Sequence, residues 1–283
     1  MAPEIHPISP ADLDQCLQLS NEESGWNQNA ADWKFILEEG VVFGIKRDAH
    51  LIATAGVMPY GERFGWICMV LVRASERRQG LASLLMQRCV GWLAERGSIA
   101  GLDATQAGRE VYRQIGFRDV YGITRMHAAG VASTRDGLSS ANLTPLTADT
   151  IDAVAGYDRQ HFGEDRSALL RRWLERKPQS AFFTSNGGHI RGFVVAREGR
   201  NASHIGPTVA DDETTAIALI EAALNTIQGP VIIDVPTRHR ILHQWLRQRG
   251  FSPQRSFTRM LLSRTEPLDS PEQIFAVTGA EFG

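Results

Sequence analysis

The sequence predicts a mixed α/β chain built as two similar halves, and three observations carry that prediction. Apolar runs of strand length alternate with apolar residues at helical spacing along the whole chain. A small, polar stretch at 129–142, AGVASTRDGLSSAN, has the composition of a surface linker near the middle. The order of elements before it recurs after it, and YRQIGF at 112–117 is echoed by LRQRGF at 246–251. A helix that ends in Gly and an apolar residue is common on its own. The matching element order makes the echo a repeat. We therefore expect one domain over 1–130 and a second over 142–283.

In the first half, 4–8 reads as a short strand, and 11–19 and 30–39 carry apolar residues at helical spacing, the latter through Trp33, Ile36 and Leu37. Strand-like runs follow at 41–46, 51–59 and 64–72, split by polar turns, and predict an antiparallel meander. A polar loop with Gly80 then opens an apolar helix over 81–94. A strand at 98–105, a helix at 108–114 ending at Gly116 and a strand at 118–127 complete this half. The second half repeats the order: a strand near Leu143, helices at 148–157 and 167–175, and strands at 181–184, 190–197 and 202–209. A helix at 214–227, a strand at 231–235, a helix at 238–249 and a strand at 257–262 follow.

Composition narrows the function. The 283 residues are 43% hydrophobic, enough for a substantial core, and 30 Lys and Arg against 32 Asp and Glu leave a net charge of -2. Neither a nucleic acid nor an anionic membrane is implied as a partner. Cys16, Cys68 and Cys89 lack metal or redox spacing and sit among apolar neighbours, so reduced buried thiols are expected and no metal is. With no basic-then-apolar leader and no spanning apolar run, a soluble, cytoplasmic protein is expected.

The segment VLVRASERRQGLASLLM at 70–86 carries the chemistry. It places Arg77-x-x-Gly80-x-Ala82 between an apolar strand and an apolar helix. A helix N-terminus offers unpaired N–H groups and partial positive charge, and small residues let a pyrophosphate approach them. Arg77 and Arg78 add formal charge at the same place. The plainer alternative is a relaxed turn with two solvated arginines. The segment resembles the acetyl-CoA signature of the GNAT superfamily, Arg/Gln-x-x-Gly-x-Gly/Ala between strand four and helix three. ATQAGREVYRQIGF at 104–117 resembles that family's strand-five, helix-four segment ending Tyr-x-x-x-Gly-Phe. The resemblance implies two tandem GNAT-like domains and an N-acetyltransferase that uses acetyl-CoA on an amine acceptor, a small molecule or a protein. It implies cofactor contacts from Val70, Leu71, Val72, Arg77, Arg78, Gln79, Gly80, Leu81, Ala82 and Ser83, with Tyr112 protonating the departing thiolate. A phenol with a pKa of about 10 can donate to a thiolate whose thiol has a pKa of about 8.5. An amphipathic core tyrosine remains the alternative.

The sequence departs from the family pattern in two places. Many members carry a carboxylate on strand four that helps deprotonate the amine, and 66–72 has none. Asp103 is a candidate base or a structural hydrogen-bond acceptor, because a charge in an apolar strand is costly unless paired or wet. Thr105 stands where many members place a cofactor-contacting Asn. In the second half, Thr214, Thr215 and Ile217 replace Arg77, Arg78 and Gly80. Asp211, Asp212 and Glu213 would repel a pyrophosphate, and Leu246 replaces Tyr112. That half reads as a degenerate repeat. YDRQHFGEDR at 157–166 and IFAVTGAEFG at 274–283 are similar to segments of a group of two-domain GNAT proteins. His161, Asp165 and Arg166 either shape an acceptor cleft or pair on a helix surface. A non-catalytic sensor of acyl-CoA or of a metabolite is the alternative to an enzyme.

Overall fold

The computed structural model describes residues 3–130 and 143–283, so most of the expected linker lies outside the described residues. The chain opens with β1 (Ile5–Ile8), α1 (Leu13–Glu23) and α2 (Ala30–Glu39), followed by the meander β2 (Val41–Arg47), β3 (His50–Tyr60) and β4 (Phe64–Val72). α3 (Leu81–Ala94) crosses over to β5 (Ile99–Thr105), parallel to β4, and α4 (Gln106–Gln114) leads into β6 (Phe117–Ala128). The second half runs β7 (Leu143–Pro145), α5 (Ile151–Phe162), α6 (Ser167–Arg176), β8 (Phe182–Asn186), β9 (His189–Arg197) and β10 (Ser203–Ala210). It continues with α7 (Glu213–Leu224), β11 (Val231–Pro236), α8 (Arg240–Gln248) and β12 (Ser252–Leu262). A short strand absent from the sequence reading, β13 (Ile274–Ala276), then pairs with β10.

Local chemistry explains the boundaries. Asn29 caps α2 by accepting from the Ala31 and Asp32 amides, and Asp32 accepts from the Asn29 amide in return. The echoed hexapeptides behave alike: Gly116 and Gly250 take φ of 98° and 85° after α4 and α8, a conformation that favours Gly at a helix end. Leu81, Leu85, Met86, Cys89 and Leu93 form the buried stripe of α3, and Ala216, Leu219, Ile220, Ala223 and Leu224 that of α7. The three cysteines are free and buried. Burial raises the pKa of Cys16 and Cys89 to about 12 and lifts Cys68 well above the ordinary thiol value.

The two halves share one sheet, in the order β1-β2-β3-β4-β5-β12-β6-β11-β10-β9-β8-β7. β12 lies antiparallel between β5 and β6, and β6 lies antiparallel between β12 and β11. Each half thus inserts its last long strand beside the other's crossover strand. Strand pairing crosses the expected boundary between 1–130 and 142–283, although the element order on either side matches it. On one side of the sheet, α1, α2, α5 and α6 bring aromatic residues of both halves together. Phe35 meets Trp173 at 5.4 Å between ring centroids, and Phe282 packs on both.

A chain cut after residue 130 leaves β5 and β6 without the strand between them. We expect it to lack the cooperative thermal unfolding of the full chain when both are followed by circular dichroism, because open strand edges and an uncovered core remain. A cooperative melt of the fragment would show that β12 is dispensable.

Candidate functional site

β4 and β5 pair only from Phe64, Gly65 and Trp66 to Ile99, Ala100 and Gly101, and then diverge. The divergence coincides with a bulge in β4 at Met69 and Val70, opposite the register step from Gly56 to Thr54 on β3. Met69 has φ of 50°, uncommon for a residue with a side chain, and its carbonyl accepts from Thr54 Oγ1 at 2.8 Å. The parted strands open a cavity of about 130 Å³. Met69, Val70, Asp103, Thr105 and Tyr112 line it from the first half, with Phe257 and Glu281 from the second. Leu71 instead points into the core, and Val72 lies past the cavity wall.

The loop that leaves β4 leads into α3, which begins without a side-chain cap. Its N-cap is Gly80 at φ of 77°, where an added Cβ would meet nothing within 4 Å. The first α-helical bond runs from the Leu84 amide to the Gly80 carbonyl, so the amides of Leu81, Ala82 and Ser83 have no partner within the helix. The two arginines divide in role. Arg77 turns back, donating to the Val72 carbonyl at 3.1 Å and to Glu23 at 2.9 Å. Gln79 likewise donates to Glu76, which also binds Arg47. Arg78 is exposed at φ of 65° and has no acidic partner among the described residues. The loop is therefore braced from behind by Arg77 and Gln79 and presents Arg78 with open amides, a donor set that suits a pyrophosphate.

Tyr112 packs on Phe117 and lines the cavity, and burial pushes its phenol up to about 12. Thr105 caps α4, accepting from the Gly108 amide at 3.3 Å. Asp103 borders the cavity, but its side chain is 1% exposed and both oxygens accept from Arg259 of β12, at 3.0 and 2.9 Å. Burial raises its pKa against the opposing charge of Arg259. The equivalent strand of the second half repeats this arrangement. Asp234 of β11 takes both its bonds from Arg125 of β6 at 2.7 Å. Asp103 pairs in register with Arg259, and Asp234 with Arg125. A carboxylate duplicated where no cofactor loop exists reads as a structural acceptor, which favours that expectation for Asp103.

The second half's loop is filled by its own residues. Asp212 caps α7 by accepting from the Thr215 amide at 2.8 Å, and Glu213 accepts from the Leu242 amide. Asp211 binds Arg191 at 2.7 Å and accepts from the Tyr157 hydroxyl at 2.7 Å. Of the three residues expected near an acceptor cleft, none lines the cavity. Asp165 caps the Ser167 amide, and His161 packs on Tyr157. Arg166 is buried, forked onto Asp158, and donates to Thr278 and Gly283 in the segment 274–283. The segment it binds carries Ala280 and Glu281, which line the cavity. Sequence reading missed Glu281, because the segment's similarity to a family ending did not show where it folds. Among the described residues no group of three or more His, Cys, Asp or Glu is placed to hold a metal, and no helix is long and apolar enough to cross a membrane.

Known proteins are similar along both halves. The profile of the acetyltransferase (GNAT) family matches residues 8–117, and that of an acetyltransferase (GNAT) domain matches 154–276. The uncharacterized N-acetyltransferase YitH of Bacillus subtilis (strain 168) is 25% identical over 231 residues, 81% of each chain. The holothin acyltransferase of Pseudoalteromonas sp. (strain SANK 73390) is 27% identical over 252 residues, 87% of this chain and 82% of that one. A tandem GNAT protein from the clavulanic acid biosynthesis pathway superposes with a TM-score of 0.63 at 15% identity, over 91% of this chain and 97% of that one. A GCN5-related N-acetyltransferase from Sphaerobacter thermophilus gives 0.63 at 17%, over 93% and 97%. The chain belongs to the GNAT superfamily, with a mixed α/β fold of two tandem GNAT-like halves. It is a GNAT-type acyltransferase, and its fold implies binding of an acyl-CoA.

Arg125→Met should leave the buried Asp234 without its arginine and Arg259→Met should leave Asp103 and Asp269 so, each lowering unfolding free energy by at least about 3–5 kcal/mol. Pairing Arg125→Met with Asp234→Leu should recover much of the loss in Arg125→Met. Urea denaturation of the three variants checks this, and an unchanged midpoint in the single variants would contradict it.

Proposed function

We propose that this protein transfers acetyl from acetyl-CoA to an amine acceptor by direct attack, with the β4–β5 cleft of the first half as the catalytic site. The observation that carries this reading is the contrast between two equivalent helix starts. α3, reached from the cavity-lining end of β4, offers open amides, Gly80 and an Arg78 without an acidic partner among the described residues, whereas α7 is capped by its own Asp212. In this reading the Leu81, Ala82 and Ser83 amides and Arg78 hold the pyrophosphate, while Arg77 and Gln79 keep the loop in shape. Val70 and the unpaired edge of β4 lie beside the pantetheine and thioester. Acetyl-CoA supplies an acyl group on a good leaving thiolate. Tyr112, held protonated by burial, donates to that sulfur. Asp103 fixes β5 through Arg259 rather than taking the amine's proton.

The acceptor is an amine-bearing small molecule or protein. The relative named for holothin supports a small molecule, as does a cavity of about 130 Å³ walled by both halves. Reduced buried thiols and use of a CoA thioester suit the cytoplasm. The second reading, a non-catalytic acyl-CoA sensor, draws on the absence of a carboxylate in 66–72 and the engagement of Asp103 by Arg259.

Calorimetric titration of acetyl-CoA into the full chain should give one site, with Arg78→Ala weakening it about tenfold, the scale of one charge-assisted contact. No binding by the wild-type protein would end the acetyltransferase reading. Tyr112→Phe should bind acetyl-CoA within about twofold of wild type and lose on the order of 100-fold in kcat. Because burial places the phenol at about 12, wild-type activity should show no loss from its ionisation below about pH 10. Unchanged turnover in Tyr112→Phe would remove it from the chemistry. Binding without transfer to any amine would favour the sensor.

A further inference from the structure

Residues 274–283 cross from the second half onto the first half's cleft and are pinned there along their length. Trp66 Nε1 donates to the Ala280 carbonyl at 3.2 Å, and the Tyr60 hydroxyl donates to the Phe282 carbonyl at 2.6 Å. Arg166 binds Thr278 at 2.9 Å, and the Phe282 ring is fully buried against Phe35 and Trp173. These contacts hold Glu281 in the wall of the cavity that also contains Met69, Val70 and Tyr112. A carboxylate 4% exposed is not a surface charge. Arg197 of β9 donates to its Oε1 and is itself held by Asp32 at 2.9 Å.

Asp103 and Glu281 are the carboxylate residues lining this cavity among the described residues. The two are used differently. Asp103 gives both oxygens to Arg259, and its counterpart Asp234 does the same in the half without a cofactor loop. Glu281 has one oxygen on the Arg197 guanidinium and a further hydrogen bond from the neutral Gln28 side chain, and no counterpart of this arrangement occurs in the second half's loop among the described residues. We propose that Glu281 binds the ammonium of the acceptor and takes its proton, so that the second half supplies the carboxylate which β4 lacks. This role rests on the acetyl-transfer reading given above.

The step balances as follows. The ammonium gives one proton to Glu281, which releases it to solvent by the end of the turnover. The freed nitrogen lone pair forms the C–N bond, and the C–S bond breaks. The sulfur takes the proton of Tyr112, and the second proton lost from nitrogen restores the phenol through water. The products are an N-acetyl amide and CoA, with one proton released. The charged and titratable groups facing Glu281 are Arg197 from β9, Arg125 from β6, Asp32 from α2, Tyr60 from β3 and Cys68 from β4, with Gln28 beside it. Burial raises the Glu281 pKa above the ordinary carboxylate value, against the two arginines. The group must be ionised to act, so activity should rise with pH as it loses its proton.

The test uses the full-length chain, acetyl-CoA, and a panel of 2-phenylethylamine, tyramine, spermidine, glucosamine and a lysine-containing peptide, with CoA thiol release as the readout. For the amine accepted best, Glu281→Gln should bind acetyl-CoA within about twofold of wild type and lose on the order of 100-fold in kcat/KM at neutral pH. Its acidic limb should move up toward the ammonium's own ionisation, at about 10 for an alkylamine. Glu281→Asp keeps the charge and should recover part of the rate and the lower limb. A melting temperature measured on both variants separates a lost fold from a lost proton acceptor. Wild-type rate and pH profile in folded Glu281→Gln overturn the role, as do equal losses in both variants with no movement of the limb. Failure of the wild-type protein to bind acetyl-CoA, or to acetylate any of the panel, overturns the underlying reading. That failure appears without any substitution.

Discussion

The architecture depends on two buried Arg–Asp forks, Arg259 to Asp103 and Arg125 to Asp234, each formed across a strand pair that joins the halves. Either fork alone is a poor source of net stability, since removing both charges from water costs several kcal/mol per ion. Their value is directional. A one-residue slip of β12 against β5, or of β6 against β11, would turn a guanidinium away from its carboxylate and leave both buried and unpaired. Arg259 also binds Asp269, which accepts from the Tyr121 hydroxyl, so the register of β12 is tied to the residues that follow it.

The same duplication makes the differences between the halves informative. Both have a meander, a crossover helix and a parallel strand after it. α3 begins at Gly80 with open amides and an exposed arginine, and α7 begins with Asp212 already accepting from the first turn. A helix start whose donors are taken by its own side chain has little left for a phosphate. The second half retains the scaffold and has become a wall: Phe257, Ala280 and Glu281 complete the first half's cavity.

That wall is held by charge as well as by aromatic packing. Arg197 is fully buried and bridges Asp32 of the first half to Glu281, while Arg176 binds the other oxygen of Asp32 at 2.7 Å. Two arginines and two carboxylates offset one another, which a dry interior requires. Arg166 and Asp158 form a second such pair beneath Thr278 and Gly283. The shape of the cleft therefore depends on ion pairs that lie behind its wall.

The sequence by itself determined the elements and the uncapped start of α3, because both are written in contiguous residues. Periodicity placed α3 at 81–94, Gly116 and Gly250 marked two helix ends, and Arg77-x-x-Gly80-x-Ala82 located the helix start with open amides. The tertiary structure alone decided three things. It divided Arg77 from Arg78, because Glu23 lies 54 residues away in the chain. It committed Asp103 to Arg259, 156 residues distant, since only strand pairing brings β12 beside β5. It carried Glu281 to the cleft, because nothing local in GAEFG specifies contact with Tyr60 and Trp66. Local propensity fixes what each segment becomes; strand exchange and buried charge pairing join residues with no sequence proximity, and they set which carboxylates line the cleft.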